Sequence, residues 1–283
     1  MKRGLWIETV PSLDIALGGG IREGNVVSVV GPEGCGKTCL CSYIAQHTEN
    51  SLYLNSEPWN LNVEKPGRCL DIFTLQEAVE ALADAHRECL DLVVIDSVAA
   101  LCDGEEDDER ERTQQIRSIL FNMRAVVETG AAVMFTNQLR DCVNRRGRRT
   151  SGSYHRTIHD LVDVEIEFVQ ESKKILARSK RMTEHRVTDL LFRDGEIDAI
   201  GDLMRVGKML GVLNGYGGTS LKMMGISELF YEPERLREAL ARNPELAETL
   251  WERIVLTMDE QLWRVKFSAW SYDLGLTIDD DMV

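Results

Sequence analysis

The octet GPEGCGKT at residues 31–38 decides the fold. It follows the apolar run NVVSVV (25–30) and precedes a helix-like run that starts near Thr38. The octet fits the pattern G-x-x-x-x-G-K-[ST], in which glycines allow backbone N–H groups to point at phosphate oxygens. A glycine turn without a ligand is the alternative, but the strand-loop-helix context favours a phosphate-binding loop at a helix N-terminus.

Each position of the octet has a predicted role in binding ATP. The pattern predicts that Lys37 reaches the β- and γ-phosphates and that the Thr38 hydroxyl holds Mg²⁺. The predicted ATP-binding residues are Gly31, Pro32, Glu33, Gly34, Cys35, Gly36, Lys37, Thr38 and Cys39.

Apolar runs alternate with helical patterns around the octet. The strand-like runs are NVVSVV (25–30), SLYLN (51–55), LDIFT (70–74), LDLVVIDSVAAL (90–101) and AAVMFTNQ (131–138), and the helical runs include 75–90 and 111–130. Continuous apolar strands that alternate with helices predict an α/β fold with a mostly parallel sheet covered on both faces.

The pattern changes after Gln138. Residues 140–159 are polar and basic without clear periodicity, which predicts a mobile loop. LVDVEIEFVQE (161–171) and the runs after it alternate in strand style, which predicts antiparallel strands that extend the sheet. From about Asp202 the sequence predicts helices with a turn at GYGG (215–218), so we divide the chain into a core at 1–201 and a small C-terminal helical domain with its tail at 202–283.

Charge is distributed unevenly along the 283 residues, whose formal net charge is −14. Residues 140–156 hold six arginines against one aspartate, net +5, and residues 103–112 hold seven acids against two arginines, net −5. The overall charge argues against indiscriminate nucleic-acid binding. A local basic loop can still bind phosphates on an acidic body, because salt screens exposed charges beyond about 10 Å.

The cysteine content and the hydropathy of the sequence indicate in which cellular compartment the protein is expected. Seven cysteines are present, an odd number, and no pair has C-x-x-C spacing. We therefore expect a reduced, intracellular (cytoplasmic) protein without a disulfide framework or zinc site. No apolar run approaches the roughly 20 residues that span a bilayer, and the start of the chain lacks the apolar region of a signal peptide.

Two polar residues end predicted strands at the edge where ligands bind in α/β sheets. Asp96 ends LDLVVID, where a carboxylate suits the second coordination shell of Mg²⁺; the alternative is a cap of the following turn. Gln138 ends AAVMFTNQ and could sense the γ-phosphate, although a polar residue at a strand end is equally compatible with the sequence.

Three stretches together resemble the RecA-type recombinases. They are PSLDIALGGGIREGNVVSVVGPEGCGKT (11–38), LDLVVIDSVAAL (90–101) and MFTNQLR (134–140), and the resemblance runs from about Ile7 to Met258. It implies a RecA-type ATPase core with a small C-terminal lobe. It also implies a homo-oligomeric helical filament on single-stranded DNA, ATP bound between neighbouring subunits, and strand exchange with duplex DNA.

The resemblance assigns further roles by position. Gln138 would open the second DNA-binding loop (139–159), and 102–112 falls where the family has its first. Arg178 and Lys180 stand where the family has two lysines that reach a neighbour's γ-phosphate. The basic loop lacks the family's glycine-asparagine run and phenylalanine, so the alternative is a solvated loop. Its candidate DNA-binding residues are Arg140, Arg145, Arg146, Arg148, Arg149, Tyr154, His155 and Arg156.

Two positions compete for the group that activates water. By the resemblance, Gln76 stands where RecA proteins carry a catalytic glutamate, at the start of the helix after the third strand, with Glu77 next to it. A glutamine can orient water but cannot accept its proton. Glu57 lies just beyond the second strand, where eukaryotic recombinases and replicative helicases carry their catalytic glutamate. We therefore choose Glu57 as the base; the alternative is an ordinary loop carboxylate.

Three functions remain open at this point. The first is an ATP-dependent strand-exchange recombinase with DNA-stimulated ATPase activity. The second is a RecA-like regulatory or accessory ATPase that uses ATP as an assembly switch, which Gln76, the altered basic loop and the short segment before PSLDIAL favour. The third is a ring helicase or packaging motor, which the recombinase-like C-terminal lobe disfavours.

Overall fold

A computed structural model describes residues 6–59, 63–101, 109–138, 142–143, 149–150, 162–169, 174–179, 186–216, 220–223, 229–230 and 232–258. Within these residues the strands are β1 (Trp6–Ile7), β2 (Ile21–Arg22), β3 (Val26–Gly31), β4 (Ser51–Asn55), β5 (Cys69–Asp71), β6 (Leu92–Asp96), β7 (Ala132–Gln138), β8 (Cys142–Val143), β9 (Arg149–Thr150), β10 (Val164–Phe168), β11 (Lys174–Ser179), β12 (Arg186–Asp189), β13 (Phe192–Arg193), β14 (Glu196–Ile197), β15 (Leu213–Tyr216), β16 (Ser220–Met223) and β17 (Leu229–Phe230). The helices are α1 (Pro11–Leu17), α2 (Lys37–Gln46), α3 (Leu75–Ala85), α4 (Val98–Leu101), α5 (Glu109–Val127), α6 (Ala199–Met209), α7 (Pro233–Arg242) and α8 (Pro244–Thr257).

The main sheet has the order β12-β11-β10-β3-β7-β6-β4-β5. Every neighbouring pair from β10 to β5 is parallel, and β11 and β12 extend the sheet antiparallel. The predicted α/β class with a mostly parallel sheet is therefore confirmed, as is the antiparallel extension. The octet leaves the carboxyl end of β3, beside the ends of β7 and β6.

Helices cover both faces of the sheet. On one face α2 buries Leu40 and Ile44 against strand residues that include Tyr53 and Val94. On the other face α3 and α5 bury Leu82 and other apolar side chains against the opposite set of strand residues. Strand residues two apart share a face, so the β6 side chains alternate between the two cores.

The C-terminal region has a hydrophobic cluster of its own, built from α6, α7 and α8. It also contains a three-stranded antiparallel sheet of β15, β16 and β17. Half of the GYGG segment, predicted as a turn, lies in β15, because Gly215 and Tyr216 pair with Leu221 and Ser220. The domain limit at 201/202 stays a prediction, and α6 crosses it.

Within the basic segment, β8 and β9 form a short antiparallel ladder that pairs Val143 with Arg149. The sequence predicted irregular structure there. Among the described residues no helix is long and apolar enough to cross a membrane. Five cysteines in the described ranges are free thiols: Cys35, Cys39, Cys41, Cys69 and Cys89.

Candidate nucleotide site

The phosphate-loop geometry depends on glycine at two positions. Gly36 has φ 105° and Gly34 has φ 71°, both in the left-handed region that other residues rarely adopt. A Cβ on Gly36 would lie 2.7 Å from Cζ of Phe192. Gly36 is also the N-cap of α2, and no side chain caps this helix. The first backbone N–H groups of α2 therefore remain available for an anion.

The Lys37 ammonium lies within the loop. Its Nζ donates hydrogen bonds to the carbonyl oxygens of Gly31 at 3.0 Å and Pro32 at 2.6 Å. Nζ also lies 3.9 Å from the Sγ of Cys35, and burial raises the pKa of the Cys35 thiol. Cys35 therefore stays neutral beside the lysine, so it adds no negative charge that would repel a phosphate.

Asp96 occupies the predicted place at the end of β6, and its carboxylate accepts two buried hydrogen bonds. The Tyr53 hydroxyl donates to Oδ2 at 2.6 Å, and the Thr136 hydroxyl donates to Oδ1. Asp96 is 5% exposed, and both hydroxyl residues are fully buried. Its neighbour Ser97 follows through a cis peptide bond.

Glu57 lies beside this strand end, and its role as the base stays a prediction. The Ser97 hydroxyl donates to its Oε1, which fixes one carboxylate oxygen. Ser56 Oγ accepts from the Ser97 N–H and donates to the Ser97 carbonyl, both at 2.7 Å. The loop after β4 is thus tied to the loop after β6.

These groups converge on one cleft of about 320 Å³. Its lining includes Lys37, Thr38, Glu57 and Asp96, from the loop and from the ends of three parallel strands or the segments that follow them. The lining residues are Glu33, Gly34, Gly36, Lys37, Thr38, Cys39, Asn55, Glu57, Pro58, Trp59, Asp96 and Thr136. The cleft therefore places a lysine, a threonine hydroxyl and two carboxylates around one space.

A second cavity of about 160 Å³ adjoins the first. Cys39 lines both, and its Sγ donates to the Gly195 carbonyl at 3.7 Å. The second cavity is bounded by Tyr43 of α2, by His47 directly after that helix, and by Glu64. The ring centroids of Tyr43 and His47 lie 4.1 Å apart in a stacked arrangement. Aromatic and polar walls of this kind suit a flat heterocycle.

Gln76 and Arg178 lie away from the cleft lining. Gln76 is exposed on the first turn of α3 and donates to Glu80 at 2.6 Å. Arg178 on β11 forms ion pairs within the chain, with Glu165 at 2.6 Å and Glu167 at 3.0 Å. The strand register places Arg178 level with Glu165 and Ser28, and the loop begins three residues farther on at Gly31.

Several predicted residues lie outside the described residues. They are Arg140, Arg145, Arg146, Arg148, Tyr154, His155, Arg156 and Lys180. For Gln138 and Arg149 the structure describes the strand position only: Gln138 ends β7 opposite Gly31, and Arg149 begins β9. Their predicted roles remain predictions.

Sequence reasoning missed five residues of the site: Tyr53, Thr136, Asn55, Pro58 and Trp59. Tyr53 and Thr136 stand within apolar strand runs, and a polar group in a buried strand was the available signal. Asn55 donates to the Glu57 carbonyl at 2.7 Å. Trp59 packs edge-on to Tyr53, with ring centroids 5.5 Å apart.

Comparison with known proteins gives one family match and many similar relatives. The family described as "ATPase family associated with various cellular activities (AAA)" matches residues 27–151. Protein RecA of Chloroflexus aurantiacus is 28% identical over 99% of this chain and 89% of that relative. The RecA proteins of Thermus thermophilus and Thermosynechococcus vestitus are 27% and 26% identical, over 90% and 93% of this chain and 86% and 84% of those relatives.

Proposed function

Since the chain is a RecA-like P-loop ATPase, we propose that it binds ATP with Mg²⁺ in the 320 Å³ cleft and hydrolyses it. The observation that carries this proposal is the convergence of Lys37, Thr38, Asp96 and Glu57 on one space. The uncapped N-terminus of α2 supplies N–H donors for phosphate oxygens, and Lys37 supplies a cation beside them.

Each residue has a distinct task in this proposal. Thr38, through its hydroxyl, and Asp96, in the second coordination shell, would hold Mg²⁺. When bound, Mg²⁺ neutralises charge on the phosphate oxygens. Glu57 accepts the proton of the attacking water, and Ser97 keeps its carboxylate oriented. Gln138 senses the γ-phosphate from the end of β7.

The base of the nucleotide occupies the adjoining 160 Å³ cavity. The two cavities meet at Cys39, one residue after Thr38, so a nucleotide can span them. Burial raises the pKa of the Cys39 thiol, so this residue presents a neutral surface between base and phosphate.

We further propose that the protein is a recombinase that assembles as a helical filament on single-stranded DNA and exchanges strands with duplex DNA. The support is the RecA name of relatives that span most of the chain, together with the net charge of +5 in residues 140–156. Arginines in that segment would bind DNA phosphates, and Tyr154 would stack on a base. Arg178 and Lys180 stand where RecA proteins have two lysines that reach a neighbour's γ-phosphate, and they would serve that role here.

One observation favours the alternative, a RecA-like regulatory ATPase that uses ATP as an assembly switch. Arg178 is 21% exposed and bonded to two glutamates of its own chain, so a neighbour's phosphate must compete with both. In either case we propose a reduced, intracellular location, which agrees with the free thiols of the described region.

Steady-state ATPase activity with and without single-stranded DNA, on samples also imaged by negative stain, tests these proposals. Strong stimulation together with filaments supports the recombinase. Filaments with little turnover support the assembly switch. Absence of nucleotide binding in a folded sample contradicts the ATPase proposal itself.

A further inference from the structure

We propose that Tyr53 and Thr136 are positioning residues that hold the Asp96 carboxylate in the orientation needed to bind the water ligands of Mg²⁺. The inference rests on the proposed metal role of Asp96. It adds two residues that the phosphate-loop pattern does not contain and that sit on strands flanking the acidic residue on both sides.

Three neighbouring strands bring Tyr53, Asp96 and Thr136 together. β6 carries Asp96, β4 on one side carries Tyr53, and β7 on the other side carries Thr136. Tyr53 pairs in register with Val94, two residues before Asp96, so both side chains share the face that α2 covers. Ile95 pairs with Phe135, so the next residues along, Asp96 and Thr136, also share that face.

The two hydroxyls bind different oxygens of the Asp96 carboxylate. Tyr53 donates to Oδ2 and Thr136 donates to Oδ1, so each carboxylate oxygen accepts one fixed hydrogen bond. The terminal torsion of an aspartate is broad, and two donors on different oxygens restrict it. A carboxylate offers about four lone-pair sites, so one hydroxyl on each oxygen leaves capacity for metal-bound water.

The surroundings make this arrangement rigid. Tyr53 and Thr136 are both 0% exposed, so their hydroxyls have no competing bulk water. The Tyr53 ring is held edge-on by Trp59, whose Nε1 donates to the Val63 carbonyl at 2.8 Å. Residues that hydrogen-bond to direct metal ligands typically change metal affinity by about 10- to 100-fold when removed. Tyr53 and Thr136 lie one shell farther out, so we expect an effect at the lower end of that range.

A purely structural role makes a different prediction. If the hydroxyls serve only to satisfy a buried carboxylate, their loss weakens the fold and affects nucleotide binding equally with and without metal. If they position Asp96 for the metal, removing either hydroxyl reduces the increase in nucleotide affinity that Mg²⁺ causes. The ratio of nucleotide affinities with and without Mg²⁺ therefore separates the two roles.

The experiment measures binding of a non-hydrolysable ATP analogue by calorimetry, in Mg²⁺ and in EDTA. The variants are Tyr53→Phe and Thr136→Val, which keep the side-chain shape and remove one hydroxyl each. The matched control is Thr188→Val, because Thr188 is 1% exposed, lies on β12, and has a buried hydroxyl without a hydrogen-bond partner among the residues that the structure describes. Thermal unfolding of every variant reports on the fold.

We expect wild-type and Thr188→Val proteins to gain the same affinity from Mg²⁺. For Tyr53→Phe we expect that gain to fall about 10-fold, with affinity in EDTA unchanged. Thr136→Val should lower it in the same way, which keeps the inference testable if one variant fails to fold. An unchanged gain in folded variants overturns the inference alone. If Mg²⁺ does not change the nucleotide affinity of the wild-type protein, the proposed metal site is wrong, and this inference is wrong with it.

Discussion

We expect Asp14 to contribute a fall in the free energy of unfolding as pH rises, and the variant Asp14→Asn to remove that contribution. Asp14 lies on α1 with 5% of its surface exposed. Burial is the main cause that raises its pKa to about 7 from an ordinary value of 3.8, and the nearby charges of Glu8 and Asp202 add to the effect. Hydrogen bonds from the N–H and hydroxyl of Thr9 act in the opposite direction.

The sign and size of the effect follow from proton linkage. Between pH 3.8 and about 7 the folded state keeps a proton on Asp14 that the unfolded state has lost. Unfolding then releases a proton, so the free energy of unfolding falls with pH by up to about 1.4 kcal/mol per pH unit. Over a shift of about three units the total is about 4 kcal/mol. This contribution is fully present below pH 3.8 and lost as pH rises through about 7.

Urea unfolding of wild type and Asp14→Asn at pH 5.0, 5.5, 6.0 and 6.5 provides the assay, with pH steps of about half a unit set by the expected slope. Asparagine keeps an oxygen that can accept both Thr9 hydrogen bonds. The unfolding free energy of wild type minus that of Asp14→Asn should fall by about 1.4 kcal/mol per pH unit as pH rises. If the unfolding free energies of the two proteins change with pH in parallel, the reasoning is refuted. Such a result would mean that Asp14 has the same pKa in the folded and unfolded states.

Three further predictions concern the site and the basic loop. Lys37→Ala should abolish measurable ATP binding in a calorimetric titration, and wild-type affinity would contradict the phosphate-loop assignment. Glu57→Gln should leave ATP affinity unchanged and lower turnover by about 10²- to 10⁴-fold, whereas Gln76→Ala should keep normal turnover. The reverse result would mean that Glu57 is not the base and that Gln76 orients the attacking water. Replacing Arg145, Arg146, Arg148 and Arg149 by alanine should make the slope of log affinity against log salt for single-stranded DNA shallower by up to about 3, measured by fluorescence anisotropy, and an unchanged slope would place the DNA site elsewhere.

Local sequence patterns predicted most strands of the main sheet, because the apolar runs in the sequence are the segments that are buried in the fold. The run SLYLN was predicted as a strand at 51–55 and forms β4 with those bounds. Helix α3 ends at Ala85 although the helical pattern continues to Leu90, since the periodicity does not show where the helix stops. The strands β15 to β17 were missed, because short strands around glycines read as turns.

The site was predictable where one stretch of chain supplies it and not where distant stretches meet. The octet gave Lys37 and Thr38 directly, and Asp96 followed from its place at a strand end. The hydroxyls of Tyr53 and Thr136 converge on Asp96 only because β4 and β7 flank β6, and strand order cannot be read from spacing. Gln76 was plausible by position, but on α3 its side chain bonds to Glu80 instead.

The hydrogen bond between Ser12 and Asp202 bears on how this protein can be dissected. The Ser12 N–H donates to Asp202 Oδ2 at 2.8 Å, and Ile15 on the same helix packs into the cluster of α6, α7 and α8. A fragment truncated after residue 201 would leave that N–H without its acceptor, at a cost of about 1–3 kcal/mol, and would expose Ile15 to water. An expression fragment designed at the apparent domain limit should therefore be insoluble or unstable, and a useful minimal fragment must extend through α8.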